Sequence, residues 1–361
     1  MDSKLKDGTN AFNQDFNRYD QVNKLQRYRL SEGDKDEFDE DYQITTCDFR
    51  DLTEGGEAGT KRFTENFGKS LEDIGFAILS NHGVDTALYD EAEELTREIF
   101  EDYSLESRMK FRAQRHGSVN QGYFPIKETT IIHPDMVEGW VFCRRAFDLG
   151  ENPDYNVNDY WLDSKFERSF RKLVLAHEKL FTPLMQSILG YLNVDSSLYN
   201  SKLAKTNFGF RLNYYPPISK NESFEGGRML GHEDVDLFTI LPAANIEGLQ
   251  ALHRGSMKWV RVNAPPGSII INTGDYMQRI TNDRLPSTTH RVSKPKDAVL
   301  YDTPRISFPM AVYVWEDELL EVLPGLDNPK YPPVRAEEFH TKITSKYYGD
   351  DYANSSALTS R

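Results

Sequence analysis

Three side chains in this sequence combine the residue types and the spacing that a metal ion requires. His232 and Asp234 are separated by one residue, so in a β-strand both would project from the same face. His290 lies in a second strand-like segment well downstream, which hairpins could bring alongside the first. Two imidazoles and one carboxylate that leave other positions open are the ligand set of non-haem Fe(II) oxygen chemistry. The spacing therefore indicates a metal site, although a His-x-Asp sequence alone also arises by chance.

Two further pairs with the same spacing could bind an anion beside that metal. Arg305 and Ser307 would share one face of a strand, where a guanidinium and a hydroxyl suit a carboxylate. Asn213 and Tyr215 would share a face of an earlier strand and could hydrogen-bond carboxylate oxygens. The alternatives are an ion pair at a strand edge for Arg305 and ordinary strand packing for Asn213 and Tyr215.

The other histidines have no such pattern and are expected to be structural. His177 falls on an apolar helical stripe, which favours a core position, and His82 precedes Gly83 in a predicted turn. The remaining four are expected to be surface or loop residues: His116, His133, His253 and His340.

Helical signals dominate the first half of the chain. Apolar residues from Phe166 to Ile188 recur at the spacing of one helix face, which predicts the longest helix. Shorter helices are predicted from Gly59 to Gly75 and after Asp85. Residues 112–160 show no period and are predicted to be irregular. A final helix is predicted around Ala336 to Lys346.

After residue 204 the pattern changes to short β-rich segments separated by turn residues. Such a series favours a β-sandwich or jelly roll, so we predict a mainly β protein with flanking helices. The predicted strands are Phe208 to Tyr215, Leu237 to Leu241, Leu249 to Leu252, Lys258 to Val262, Ser268 to Asn272, Thr288 to Val292 and Arg305 to Val314.

Composition restricts the partners that the protein is expected to have. The 361 residues are 38% hydrophobic, enough for a sizeable core, and the net charge of −14 disfavours nucleic acid or an anionic membrane. Cys47 and Cys143 are too few for a disulfide framework and are expected to be packing residues in a reducing compartment. No signal peptide or spanning apolar run is visible. We therefore expect a cytoplasmic monomer.

In its motifs the sequence resembles the 2-oxoglutarate- and Fe(II)-dependent dioxygenases of the isopenicillin N synthase-like group. The resemblance covers roughly residues 43–345, and its motifs occur in the order that the family shows. They are Gly75-Phe76, Asn81-His82-Gly83-Val84, Asn213-Tyr214-Tyr215-Pro216, His232-Glu233-Asp234, Gly248-Leu249-Gln250, Pro266-Gly267-Ser268, Asn272-Thr273-Gly274-Asp275, His290-Arg291-Val292 and Arg305-Ile306-Ser307.

The resemblance implies a double-stranded β-helix core with an N-terminal helical region. It implies that His232, Asp234 and His290 hold Fe(II), that Arg305 and Ser307 bind the distal carboxylate of 2-oxoglutarate, and that Tyr215 and Asn213 contact this cosubstrate. Glu233, where many relatives have Thr, is expected to point away from the metal. The expected divisions are a polar, solvated arm (1–42), an N-terminal α/β region (43–200), the catalytic core (201–315) and a C-terminal tail or lid (316–361).

The implied reaction is oxidation of an unactivated C–H bond of a small molecule by dioxygen, with ascorbate helpful in vitro. Hydroxylation, desaturation and oxidative cyclisation all remain open. Basic residues among the pocket candidates suggest a carboxylate-bearing, amino-acid-derived substrate, unless they serve surface ion pairs. The alternatives are an iron oxidase of the same fold that needs no 2-oxoglutarate, and a non-enzymatic small-molecule binding protein. The pocket candidates are Tyr123, Phe124, Arg145, Arg211, Arg279 and Phe308.

Overall fold

The protein structure, a computed structural model, describes residues 32–33, 36–128, 135–218 and 227–348. Most of the predicted N-terminal arm (1–31), His133 and the end of the predicted tail (349–361) lie outside these ranges. Within them, no helix combines the length and the apolar composition that crossing a membrane would require.

The helices include every helix that the sequence predicts. The longest begins after Asp163, whose Oδ1 accepts a 2.7 Å hydrogen bond from the Lys165 amide, and it includes Pro183. It ends at Tyr191, one residue after the predicted Gly190. The α-helices of the described ranges are Arg50–Thr53 (α1), Gly56–Ile74 (α2), Ala87–Glu101 (α3), Leu105–Met109 (α4), Ser164–Tyr191 (α5), Asn200–Leu203 (α6), Asp275–Ile280 (α7) and Ala336–Tyr348 (α8).

The predicted strands of the second half are all present, with Arg305 to Val314 divided into two. The strands of the described ranges are Thr46–Asp48 (β1), Phe76–Ser80 (β2), Gln114–His116 (β3), Val119–Phe124 (β4), Glu138–Cys143 (β5), Asn207–Tyr215 (β6), Met229–His232 (β7), Phe238–Pro242 (β8), Leu249–His253 (β9), Lys258–Arg261 (β10), Ile269–Thr273 (β11), His290–Val292 (β12), Arg305–Ser307 (β13), Met310–Tyr313 (β14), Leu319–Leu320 (β15) and Val334–Arg335 (β16).

Two sheets form the β core. The larger one has ten strands, in the order β1-β2-β11-β8-β14-β6-β5-β4-β3 with β13 also paired to β6. The smaller one has the order β10-β9-β12-β7. Side chains of both sheets line one cavity, so the sheets face each other as the two layers of a jelly roll. The predicted fold class is confirmed.

Apolar packing fixes the helices against the outside of the larger sheet. Phe63 of α2, Phe170 of α5, and Phe208 and Phe238 of the sheet belong to one continuous buried cluster. Each buried aromatic side chain of this size stabilises the fold by roughly 1.5–3 kcal/mol. The larger sheet is therefore held rigid from behind while its other face remains available for the cavity.

The prediction that residues 112–160 are irregular was wrong. This segment contributes β3, β4 and β5, and β5 pairs with β6 in the larger sheet. Both faces of β4 and β5 are mostly covered, so the alternation of apolar and polar residues that reveals a strand is missing. Gly122 and Gly139 interrupt the pattern further. Gly122 is required, because its φ is +120° and a Cβ would lie 2.4 Å from the Phe111 carbonyl oxygen.

The end of the predicted solvated arm is also part of the folded body. Phe38 forms a parallel bridge with Trp259 of β10, and the Trp259 amide donates to the Glu37 carbonyl over 2.8 Å. The Arg261 guanidinium lies 4.1 Å from the centre of the Phe38 ring. The many acidic residues of this segment predicted that it is solvated. However, Arg291 of β12 pairs with Asp36, and Arg261 of β10 pairs with Glu40.

Candidate active site

The pairing of β7 with β12 brings the two predicted metal-binding histidines together. His232 is directly opposite His290 in the antiparallel register, and their ring centres are 4.3 Å apart. Asp234 Oδ1 lies 3.9 Å from His232 Nε2 and 3.8 Å from His290 Nε2. One ligand atom from each of the three residues lies within 4.8 Å of the others. This donor set and spacing fit a single Fe(II) ion.

The strand-face argument for His232 and Asp234 needs a correction. Strand β7 ends at His232, so Asp234 reaches the site from the loop that follows rather than from the same strand. Asp234 Oδ2 accepts a 2.8 Å hydrogen bond from Asn272 Nδ2 and lies 2.8 Å from Thr239 Oγ1. These contacts hold the carboxylate so that Oδ1 faces the histidines. Glu233, between the two ligands, instead accepts a 2.8 Å bond from the Thr289 hydroxyl.

Both histidines are held in the tautomer that binds a metal through Nε2. His232 Nδ1 lies 2.8 Å from the Leu230 carbonyl oxygen, and His290 Nδ1 lies 3.0 Å from the Thr288 carbonyl oxygen. Because a carbonyl oxygen can only accept, each Nδ1 carries the hydrogen and each Nε2 keeps its lone pair. The backbone two residues before each histidine therefore orients it.

The charges around the three residues favour the protonation states that a metal needs. Burial, together with the nearby His290, lowers the pKa of His232 to about 4, so its imidazole is neutral near pH 7. Burial alone would raise the pKa of Asp234, but the two histidines and the hydrogen bonds from Asn272 and Thr239 outweigh it and lower this pKa. Neutral imidazoles and a carboxylate are the ligating forms of these groups.

The predicted anion-binding residues line the same cavity, which has a volume of about 230 Å³. Strand β13 pairs with β6 so that Arg305 is opposite Tyr215 and Ser307 is opposite Asn213. Arg305 is buried, its Nε donates to the Ile246 carbonyl over 3.1 Å, and its Nη1 has no hydrogen-bond partner among the described residues. A buried guanidinium nitrogen without an acceptor is costly, so this corner of the cavity suits a ligand carboxylate.

Of the six residues predicted to contact the substrate, only Arg211 lines this cavity. The Tyr123 hydroxyl donates to Glu138, and its ring packs against Trp140. The Phe124 ring supports the Arg211 guanidinium at 5.7 Å.

The other three predicted substrate contacts also lie outside the cavity lining. Arg145 is exposed in a short 3-10 turn after β5. Arg279 packs over Tyr331 and Phe339. Phe308 belongs to the main apolar core. Residue type and position in the motif could not distinguish these structural roles from substrate contact.

Several cavity residues were missed in the sequence. His340 was predicted to be a surface or loop residue, but it is buried in helix α8 and lines the cavity. Its Nδ1 is 3.0 Å from the Tyr276 hydroxyl. No local pattern marks it, although its helix α8 was predicted correctly. Other lining residues without a sequence signal are Asn120, Asp135, Val141, Gly209, Ala311 and Thr344.

The remaining predictions about single histidines and cysteines can be compared directly with the structure. His177 is fully buried beside Tyr89, as predicted for a core histidine. His82 is also buried, and its Nε2 lies 2.8 Å from the Gly267 carbonyl oxygen. Cys47 and Cys143 are buried free thiols, in agreement with a packing role.

Comparison with known proteins gives the class to which this fold and site correspond. A model of the 2OG-Fe(II) oxygenase superfamily matches residues 206–311. A model of the N-terminal region of non-haem dioxygenases in morphine synthesis matches residues 44–162. The chain therefore belongs to the 2-oxoglutarate- and Fe(II)-dependent oxygenases, as its motifs predicted. It is a non-haem dioxygenase whose cofactors are Fe(II) and 2-oxoglutarate.

Individual relatives span different substrates. The chain is 27% identical over 285 residues to a flavonol synthase/flavanone 3-hydroxylase of Matthiola incana, covering 76% of this chain and 91% of that protein. It is 29% identical over 290 residues to 1-aminocyclopropane-1-carboxylate oxidase 3 of Cucumis melo, covering 78% and 81%. A solved 2OG-Fe(II) oxygenase family protein from Caulobacter crescentus superposes with a TM-score of 0.70 at 27% identity, covering 84% and 98%.

Proposed function

We propose that this oxygenase holds Fe(II) through His232, Asp234 and His290 and oxidises an unactivated C–H bond of a small molecule that carries a carboxylate. The observation that carries the assignment is the meeting of these three ligand atoms with the unpartnered Arg305 Nη1 in one cavity. When bound, Fe(II) and 2-oxoglutarate supply the oxidation, because decarboxylation of the cosubstrate to succinate activates dioxygen. The protein contributes positioning and the exclusion of water.

The cosubstrate is proposed to bind with its distal carboxylate at Arg305 and Ser307. Tyr215, opposite Arg305 in the register, closes this end, and the Arg305 guanidinium lies 5.1 Å from the centre of the Tyr215 ring. Asn213 is opposite Ser307 and lines the same cavity, where its amide Nδ2 can donate a hydrogen bond. These groups provide the fork and the hydroxyls that a carboxylate accepts from.

The substrate carboxylate is proposed to bind at Arg211. Two of its guanidinium nitrogens, Nε and Nη2, are buried without a partner in the part of the chain that the structure describes, and the side chain lines the same cavity as the histidines. Its charge also contributes to the lowered pKa of His232, after burial and His290, so the two groups are near one another. A relative named for an amino acid, 1-aminocyclopropane-1-carboxylate oxidase 3, supports a substrate of this class.

A turnover screen tests the proposal. The purified protein is incubated with Fe(II), ascorbate and 2-oxoglutarate plus candidate amino-acid-derived carboxylates, and succinate and oxidised product are measured by mass spectrometry. The expected result is succinate formed in proportion to one oxidised product. Product without succinate would instead indicate the oxidase that needs no 2-oxoglutarate. No binding of 2-oxoglutarate in the presence of Fe(II) would overturn the assignment of the site.

A further inference from the structure

Arg211 and Asp135 line the same cavity as a cation and an acid that do not pair with each other. Neither a hydrogen bond nor an ion pair joins them within the described ranges, and the Arg211 nitrogens Nε and Nη2 are buried without any partner. Asp135 is only 4% exposed. Asp135 accepts a hydrogen bond from the Leu230 amide but has no ion pair among the described residues. Proteins seldom leave two opposite buried charges without an ionic partner, because each costs desolvation energy that a partner would recover. A ligand in this cavity that carries both a carboxylate and a cation could therefore pair with both side chains.

The backbone around Arg211 is shaped to hold its guanidinium in one place. Arg211 is opposite Val141 in the β5–β6 register, and its guanidinium extends over Gly139. A Cβ at Gly139 would lie 2.8 Å from Arg211 Nη2 and 3.0 Å from Nε, so any other residue there would displace the group. The Phe124 ring supports the guanidinium from a further side at 5.7 Å.

Asp135 is held by the strand that carries a proposed metal ligand. Its Oδ1 accepts a 2.8 Å hydrogen bond from the amide of Leu230, two residues before His232 in β7. Its own backbone carbonyl accepts from the Lys127 amide over 3.0 Å. Burial raises the pKa of Asp135 to about 7, although the Leu230 amide and the Arg211 charge both lower it. An adjacent cation in a ligand would stabilise the ionised form of this carboxyl group.

We infer that the substrate carries an α-amino acid group, with its carboxylate at Arg211 and its ammonium at Asp135. This inference rests on the proposed function and narrows its substrate class from carboxylates to zwitterions. A carboxylate without an ammonium would neutralise Arg211 and leave Asp135 buried without an ionic partner in direct contact. A substrate with both groups would pair with both side chains. These two contacts would fix its orientation beside His232 and so select the C–H bond that is oxidised.

Matched derivatives provide the test. The protein is loaded anaerobically with Fe(II) and 2-oxoglutarate, and binding of the proteinogenic L-amino acids is followed by the visible absorption of the complex and by calorimetry. Each amino acid is compared with its N-acetyl and its carboxamide derivative. We expect at least one free amino acid to bind, and each derivative of it to bind at least about tenfold more weakly, since each leaves one buried charge unpaired.

Substitutions test whether Asp135 binds the ammonium and Arg211 binds the carboxylate of the substrate. Asp135→Asn should weaken binding of the free amino acid, so that its affinity advantage over the N-acetyl derivative falls about tenfold. Arg211→Gln should likewise reduce the affinity advantage of the free amino acid over its carboxamide derivative about tenfold. Gly139→Ala, which displaces the guanidinium without removing it, should resemble Arg211→Gln. Arg145→Gln, a matched change of an exposed arginine outside the cavity, should leave these ratios unchanged.

The outcomes separate this inference from the proposed function. Loss of Fe(II) or 2-oxoglutarate binding by the wild-type protein would contradict the proposed function itself. If both bind normally but no free amino acid binds better than its derivatives, only the zwitterion inference is overturned. The same conclusion follows if Asp135→Asn and Arg211→Gln keep a native melting transition and leave the ratios of free to derivatised ligand unchanged.

Discussion

Arg291, the residue that follows His290, donates a hydrogen bond from Nη2 to Asp36 Oδ2 over 2.8 Å, and the side chains are 1% and 7% exposed. The Arg291 guanidinium also lies 3.7 Å from the centre of the Trp259 ring, and its Nε donates to Gln250 Oε1 over 2.7 Å. The N-terminal segment around Asp36 is therefore part of the wall behind the proposed metal ligand His290.

Removing the Asp36 carboxylate should destabilise the protein. Asp36→Ala would leave the Arg291 charge buried without its ionic partner, which typically costs about 3–5 kcal/mol. The free energy of unfolding, measured by urea denaturation, should fall by that order. Glu65→Ala provides the control, because the Glu65–Lys61 pair is exposed and should contribute less than about 1 kcal/mol. Equal effects of the two variants would show that burial does not strengthen the Asp36 contact.

Much of the architecture could be predicted because it follows from the local spacing of apolar and turn residues. The stripe from Phe166 to Ile188 marked helix α5, and short β-rich segments between turn residues marked the strands after 204. The grouping of His232, Asp234 and His290 was also predicted correctly. However, the strand geometry assumed for Asp234 was wrong, because the chain leaves β7 at His232.

The cavity walls could not be predicted because contacts distant in sequence create them. The Asp135 carboxyl group is fixed by the Leu230 amide, 95 residues away, and His340 is fixed by Tyr276, 64 residues away. Neither pair has a local signature. Tyr123 and Arg279 looked equally suitable as substrate contacts by residue type, yet their side chains are engaged by Glu138 and by Phe339.

Removing one proposed metal ligand should abolish Fe(II) binding without unfolding the protein. His232→Ala deletes one of the three proposed ligands, and the remaining His290 and Asp234 would bind Fe(II) too weakly to be saturated. Anaerobic calorimetry with Fe(II) measures the loss, and circular dichroism checks that the fold persists. The matched control is His253→Ala, a histidine of the neighbouring strand β9 that hydrogen-bonds Ser256. Unchanged Fe(II) affinity in His232→Ala would contradict the metal assignment.

The contacts that orient Asp234 should also affect metal affinity. Asn272→Ala removes the 2.8 Å hydrogen bond to Asp234 Oδ2, so the carboxylate would lose part of its fixed orientation. Loss of such a supporting contact typically weakens metal binding by about 10–100-fold. The Fe(II) dissociation constant measures the effect, and 2-oxoglutarate binding to the saturated protein should change little. An affinity within twofold of wild type would indicate that Thr239 alone holds the carboxylate.

Arg305 should affect cosubstrate affinity more than it affects turnover. Arg305→Ala removes the guanidinium proposed to bind the distal carboxylate, a charge-assisted contact of about 1.5–3 kcal/mol, or roughly 10–150-fold in affinity. The apparent KM for 2-oxoglutarate should rise by that order, while the Fe(II) dissociation constant stays the same. Ser307→Ala should show a smaller increase because it removes one neutral hydrogen bond. A fall in kcat with an unchanged KM would contradict cosubstrate binding at Arg305.

The stability of the folded protein should fall in acid partly because of His177. Burial, with the nearby His82 charge, lowers the pKa of His177 to about 3, whereas an unfolded histidine has a pKa near 6.5. The stabilising effect of keeping His177 neutral is therefore complete above pH 6.5 and is lost as the pH falls towards 3, by about 1.4 kcal/mol per pH unit. Between pH 6 and 4, the free energy of unfolding of His177→Leu should fall less steeply than that of the wild type, by about 1.4 kcal/mol per pH unit. Above pH 7.5, the difference in free energy of unfolding between the two proteins should stay constant. Urea denaturation across this range measures both slopes, and parallel curves for wild type and His177→Leu below pH 6 would show that His177 is protonated equally in the folded and unfolded states.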